Sequence, residues 1–381
     1  MWRRALYSFI VTLLFLSAST PARAQQDHHA YYEAYQQAMH IGEYADAERH
    51  AEDAWRAAER ELGDSETTAI LAYNFAALIY DRRPADAIAP LQRVIDLTGE
   101  ANEMFGPEAP IIMLLYIEAG LDNDSRSRKR ALRKKLEERE ESGVGLNLLT
   151  ARAWLQIASF DILRRRYERG KISSDHSVRH YVQFQNRLPK EAANAYLLAG
   201  VARIAGRSRE NRDIADAAKL LNKAIRLYPP QDSIETFDPT LAITLAWRTA
   251  LDSAAYSDNP EFEETGAYLF SMLARLEPAP GVKWTAQEDG PMNCIFDWDK
   301  GEKPPYPRTE AIKRNLGGVV IGFRIEGLNV TNAWVLAEVP ARSRYGEATL
   351  KYVRNWKLRR PVHRACGDNL IMTMRYVLLP G

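Results

Sequence analysis

Small residues return at fixed places along this chain, at the spacing of paired helices, and no other pattern restricts the fold as much. The stretch YYEAYQQAMHIGEYADAERHAEDAWRAAEREL sets two amphipathic helices about a turn at Gly42-Glu43-Tyr44. About forty residues on, ILAYNFAALIYDRRPADAIAPLQRVIDL repeats the frame, with Arg82 to Ala87 where Gly42 to Ala47 stood. Tyr196, Ala199, Gly200, Ala217, Leu221, Ala224 and Pro229 take the same small and large positions, and TLAITLAWRTALDSAAYSDNPEFEETGAYLFSMLARLEP is a looser copy. Small residues let paired helices approach, large apolar ones fill the seam to the next pair, and proline ends the second helix. A single pair cannot bury its apolar face alone, so the pairs must stack. The periodicity predicts helix from residue 26 to about 280, in about six pairs.

This frame resembles the tetratricopeptide (TPR) repeat in degenerate form, over residues 25–280. Between residues 109 and 190 helices are evident but signature positions are not. The resemblance implies an all-α TPR-like superhelical solenoid whose concave face binds peptides or other proteins.

The start of the chain has a different character. Arg3 and Arg4 precede the apolar run ALYSFIVTLLFLSA, and Ala22-Arg23-Ala24 supplies a small-residue cleavage site before Gln25. That order predicts a cleavable signal peptide over residues 1–24 and export to the periplasm. The apolar run falls short of the ~20 residues a spanning helix needs. An uncleaved segment would instead leave an inner-membrane anchor facing the periplasm. Cleavage would remove three arginines and no acid, taking the formal charge from +1 to −2. A near-neutral chain gives no global electrostatic support to nucleic-acid or anionic-membrane binding.

Composition shifts at LEPAPGVKWTAQEDGPMNC, which has no helical period, and a linker is expected over residues 281–303. From Val319 the period becomes two. Val319, Ile321, Phe323 and Ile325 alternate with Gly322, Arg324 and Glu326, and VTNAWVLAEV returns as a second strand after a turn at Gly327. Tyr345, Ala348, Tyr352, Val353 and Trp356 then fall on one helical face, and Leu370, Met372, Met374, Tyr376 and Leu378 alternate in a last strand.

The ordered set Tyr306-Pro307, Gly318-x-Val320-x-Gly322-Phe323, Gly327, and Val353-Arg354-Asn355-Trp356-Lys357 with Pro361 resembles the C-terminal domain of the TonB family. It covers residues 304–381 and implies a small α+β domain, a three-stranded antiparallel sheet packed by two helices. Domains of this family bind short peptides by adding them to an edge strand, where backbone bonds give affinity and alternate side chains give specificity. Carried onto this chain, the binding edge is the strand from Asn369 to Leu378, with Ile371, Thr373 and Arg375 pointing outward. The apolar run holds no histidine, and helical repeats stand where the family's energy transducers have a Pro/Lys/Glu-rich spacer.

Cys294 and Cys366 bracket this module, and in an exported chain such a pair predicts a disulfide; two unrelated buried cysteines are the alternative. His176 and His180 are spaced for a shared metal ion on a helix, but no third ligand accompanies them, so a polar helix face is the expected reading. The run from Ser125 to Glu141 is basic then acidic, the pattern of a solvated helix laced with ion pairs. The chain has no GxSxG, HExxH or phosphate-loop motif, and His363 with Cys366 lacks a third partner. No enzyme, cofactor, metal or small-molecule substrate is expected. The sequence predicts an exported interaction protein with protein or peptide partners in the cell envelope, an outer-membrane receptor among the candidates. The alternative is an atypical energy transducer for outer-membrane transport.

Overall fold

The computed structural model describes residues 27–99, 105, 109–122, 125–143, 147–205, 211–229, 237–252, 298–299, 307, 317–360 and 369–376. The chain is α+β, with helices first and a small antiparallel sheet after them, and it divides into two compact units, Met1–Gly145 and Leu146–Gly381. That division falls inside the helical region. Of the linker expected over residues 281–303, only Trp298 and Asp299 are described, and they form a strand; the cleavage site lies outside the described residues.

In the first unit, α1 (His28–Ile41), α2 (Tyr44–Leu62), α3 (Glu66–Ile79), α4 (Ile88–Thr98), α5 (Ala109–Leu121) and α6 (Arg126–Glu141) each pack on the next. Gly42 ends α1 in the left-handed conformation, as the turn in the first frame requires. Ala47, Ala51, Ala54 and Ala58 of α2 are buried, and the Trp55 ring stacks on Phe75 of α3. Arg82 and Arg83, in the second frame's turn, both pair with Glu48 of α2. Lys134 and Lys135 of α6 share Glu138, so part of the basic run is neutralised within its own helix.

The second unit begins with α7 (Leu148–Leu163), α8 (Tyr167–Tyr181), α9 (Pro189–Ala205), α10 (Asn211–Leu227) and α11 (Pro239–Asp252). A side chain on Gly200 would come within 2.9 Å of Leu221, so the small position in that frame is where α9 and α10 touch. His176 stacks on Trp154 at 4.5 Å, and His180 is buried. Glu191 ties three helices together. It accepts two bonds from Arg152 of α7, each at 2.9 Å, and one from the Tyr181 hydroxyl of α8 at 2.8 Å.

The Arg152 bonds, aided by Tyr181 and opposed by burial, hold the Glu191 carboxyl below its usual range. The unfolded chain therefore binds this proton at higher pH than the folded one does. The contribution is complete above the ordinary glutamate value of about 4.3 and is lost as pH falls through the depressed folded value. Acid titration followed by circular dichroism should show a stability decline below about pH 4.3 that is shallower in Glu191→Gln. Parallel declines for both proteins would remove Glu191 from the account.

Asp238 starts α11. Its Oδ1 accepts from the Thr240 and Leu241 amides at 2.9 and 3.3 Å, and its Oδ2 meets Lys190 of α9 at 3.0 Å. Burial works against its charge, but Lys190 and the two amides outweigh it and lower the carboxyl. Helix α11 is thus fixed at its first turn, and it carries the sheet.

The strands are β1 (Trp298–Asp299), β2 (Gly317–Glu326), β3 (Asn329–Val339), β4 (Lys357–Leu358) and β5 (Asn369–Tyr376), with α12 (Tyr345–Val353) after β3. Their order is β1-β4-β3-β2-β5, antiparallel throughout. The two-residue segments β1 and β4 extend the expected three strands on the β3 side. Only Gly327 has positive φ in the two-residue β2–β3 loop, the arrangement of a type II′ hairpin turn. Trp356 lies beyond the end of α12 rather than on it, its amide bonding to the Val353 carbonyl.

Both faces of the sheet are covered. Val319, Ile321, Phe323 and Ile325 of β2 share a core with Tyr345, Tyr352 and Val353 of α12 and with Trp356. On the opposite face, Val320, Ala337, Val339 and Ile371 join Leu241, Ala242, Leu245, Ala246 and Ala250 of α11. A bulge at Leu336 lets β3 serve both layers: Val335 packs toward α12, while Ala337 and Val339 turn to α11. Gly318 makes the second layer feasible, because a Cβ there would sit 2.0 Å from the Ala246 carbonyl oxygen.

Candidate peptide-docking edge

The candidate site is the outer side of β5. Strand β2 pairs with β5 from Gly317 opposite Tyr376 to Arg324 opposite Asn369. In an antiparallel strand, consecutive residues direct their N–H and C=O groups to opposite sides. Half of the β5 main chain therefore bonds to β2 and half faces away. Among the described residues, no strand takes the outward set.

The side chains above and below that edge come from different layers. On the α12 side, Met372 and Met374 are half-buried against the core, with Thr349 Oγ1 3.8 Å from the Met374 sulfur. Tyr376 is buried there; its hydroxyl is 2.9 Å from Thr349 Oγ1 and donates to the Tyr345 carbonyl at 3.3 Å. Burial pushes the Tyr376 phenol up despite the Thr349 bond, so it stays neutral and holds the end of β5 to α12. Glu338 accepts from the Gly346 amide at 2.8 Å, supplying the helix start with the anion that Arg344 at the cap cannot provide.

On the other side the sequence-based expectation needs correction. Ile371 does not point outward: it is only 6% exposed and lies in the core shared with α11. The expectation assumed one open face, whereas the stacked helices cover it. Thr373 is half-buried opposite Val320, and Arg375 stands opposite Gly318. Recognition at this edge would rest on main-chain groups and on Thr373, Met372 and Met374 at its rim.

Of the residues that carried the resemblance, Gly318 is the seat of α11 and Trp356 is buried among Phe323 and Tyr352. Pro307 is half-buried. Tyr306, Pro361, Cys294, Cys366 and His363 lie outside the described residues. The seat of α11 was missed, although its signal was present: Ala242, Ala246 and Ala250 form a low stripe at four-residue spacing. No helix among the described residues is long and apolar enough to cross a membrane. Compared with known proteins, the chain matches no family model and no curated protein.

Proposed function

We infer that this is an exported periplasmic interaction protein, with a TPR-like scaffold and a TonB-like C-terminal module that binds partner peptides by strand addition at β5. The observation that carries this reading is the end position of β5 in the sheet order, with its second side unpaired among the described residues. The hairpin–helix–strand order of β2, β3, α12 and β5 agrees with the family resemblance. An extended peptide laid against β5 would gain a ladder of backbone bonds, each worth about 1 kcal/mol net. The helical units would contribute a second binding surface.

Proline supplies the test, because it removes one backbone donor. One of the neighbours Met372 and Thr373 directs its amide outward, so proline there leaves the β2 ladder whole. Thr373→Pro and Met372→Pro should therefore differ, one remaining folded and the other losing the sheet. The folded variant should capture its partners from envelope extracts about tenfold less well than the parent chain. Undiminished capture by a folded proline variant would place recognition elsewhere.

A further inference from the structure

The sheet module carries a run of positive charge along and beyond α12. From residue 342 to residue 360 the chain has seven Lys and Arg and a single acid, Glu347. Helical spacing puts Arg344, Lys351 and Arg354 on the face of α12 opposite its buried residues Tyr345, Thr349, Tyr352 and Val353. Arg342 precedes them in the turn after β3, and Lys357 and Arg360 follow on and beyond β4; all six are exposed. Among the described residues, none of these six forms an ion pair.

Several cations elsewhere in the molecule are held by acids. Arg93 reaches both Glu59 and Asp64 at 2.6 Å, Lys171 meets Asp213 at 2.8 Å, and Arg203 meets Asp175 at 2.9 Å. Helix-dipole complementarity accounts for Lys351 and Arg354 near the C-terminal end of α12, but not for Arg342 and Arg344. Those two stand at the positive end of the helix, where a cation is unfavourable. Arg342 also has φ 63°, a left-handed conformation that glycine or asparagine would adopt at lower cost. Folding does not explain this placement, which points to a ligand bearing negative charge.

The form of the surface narrows the ligand. Arg344, Lys351 and Arg354 lie along a convex helix face rather than in a groove, so they offer no cleft for an acidic peptide. The nearby aromatics Tyr352 and Trp356 are buried, leaving no stacking platform for nucleic-acid bases. A planar array of phosphate headgroups fits a convex row of long basic side chains, and exposed Leu328 stands beside β4, its carbonyl accepting from the Leu358 amide. We propose that the outer face of α12, with the turn that precedes it, docks on an anionic phospholipid surface. This goes beyond strand addition at β5 and does not depend on it.

The test uses the mature chain, from Gln25 onward, and vesicles of phosphatidylcholine with or without phosphatidylglycerol, read by co-sedimentation. The parent chain should prefer the anionic vesicles, and added salt should abolish the preference. Each cation removed should lower that preference about fivefold, so Arg342→Gln, Arg344→Gln, Lys351→Gln and Arg354→Gln together should lower it several-hundredfold. An unchanged thermal melt would show that this variant is folded. Four matching substitutions on α6, at Arg126, Arg128, Arg130 and Lys134, should change the preference by no more than about twofold. Equal binding to both vesicle types, or equal loss from the α6 set, would overturn the proposal. Capture by a DNA duplex or a polyglutamate peptide, without preference for anionic vesicles, would overturn it in favour of a soluble polyanion.

Discussion

Gly318→Ala is expected to destabilise the second unit by about 3 kcal/mol or more, toward or beyond the upper end of what overpacking costs. The added carbon would meet the Ala246 carbonyl oxygen at 2.0 Å, its carbon at 2.9 Å and the Ala250 amide nitrogen at 3.0 Å. All three are backbone atoms inside α11, so no side-chain rotation can relieve the clash. The helix must lift from the sheet, loosening Val320, Ala337, Val339 and Ile371 together. Urea denaturation should show a lower midpoint and, if the helix separates early, two transitions in place of one. Gly327→Ala is the comparison: nothing lies within 4 Å of its Cβ position, so its cost is positive-φ strain alone, about 1–2 kcal/mol. If Gly318→Ala unfolded at the same midpoint as Gly327→Ala or above it, α11 would not be seated there.

Trp356→Ala should cost about 3–5 kcal/mol, the range for removing a large aromatic from a packed core. Trp356 is 1% exposed and meets Tyr352 edge-on at 5.3 Å and Phe323 at 6.4 Å. It closes the α12 layer just where the chain turns into β4, so its loss opens the floor beneath β2. Trp356→Phe should recover part of the loss, since it restores an aromatic edge without filling the whole volume. Chemical denaturation of both variants checks the ranking, and an alanine variant as stable as the parent would contradict the packing described.

The helix pairs and the hairpin were legible because each follows from a single period. Gly42, the alanines of α2, and the alternation from Val319 to Ile325 report local geometry, and local geometry is written in neighbouring residues. The partner of the second sheet face was not legible in that way. Val320 and Gly318 read as the outer side of a strand, and Ala242, Ala246 and Ala250 read as one more repeat stripe. Their meeting joins elements about seventy residues apart, and no period records such a pairing. The same gap misplaced Ile371, whose outward assignment was sound for a sheet with one covered face. Strands β1 and β4 were missed for a different reason: two residues are too short to show any alternation.

The seat of α11 on Gly318 also bears on how this protein can be taken apart. A fragment cut at the compositional boundary, beginning near Pro304, would leave Val320, Ala337, Val339 and Ile371 facing water. Such a fragment carries an adhesive apolar patch of its own making, and what it captures would reflect the cut rather than the native edge. The smallest transplantable version of this sheet includes the helix that starts at Asp238, and with it the Lys190 anchor on α9. In this chain the strand module is not a cassette at the end of a tether; it is a layer built on α11 of the second unit.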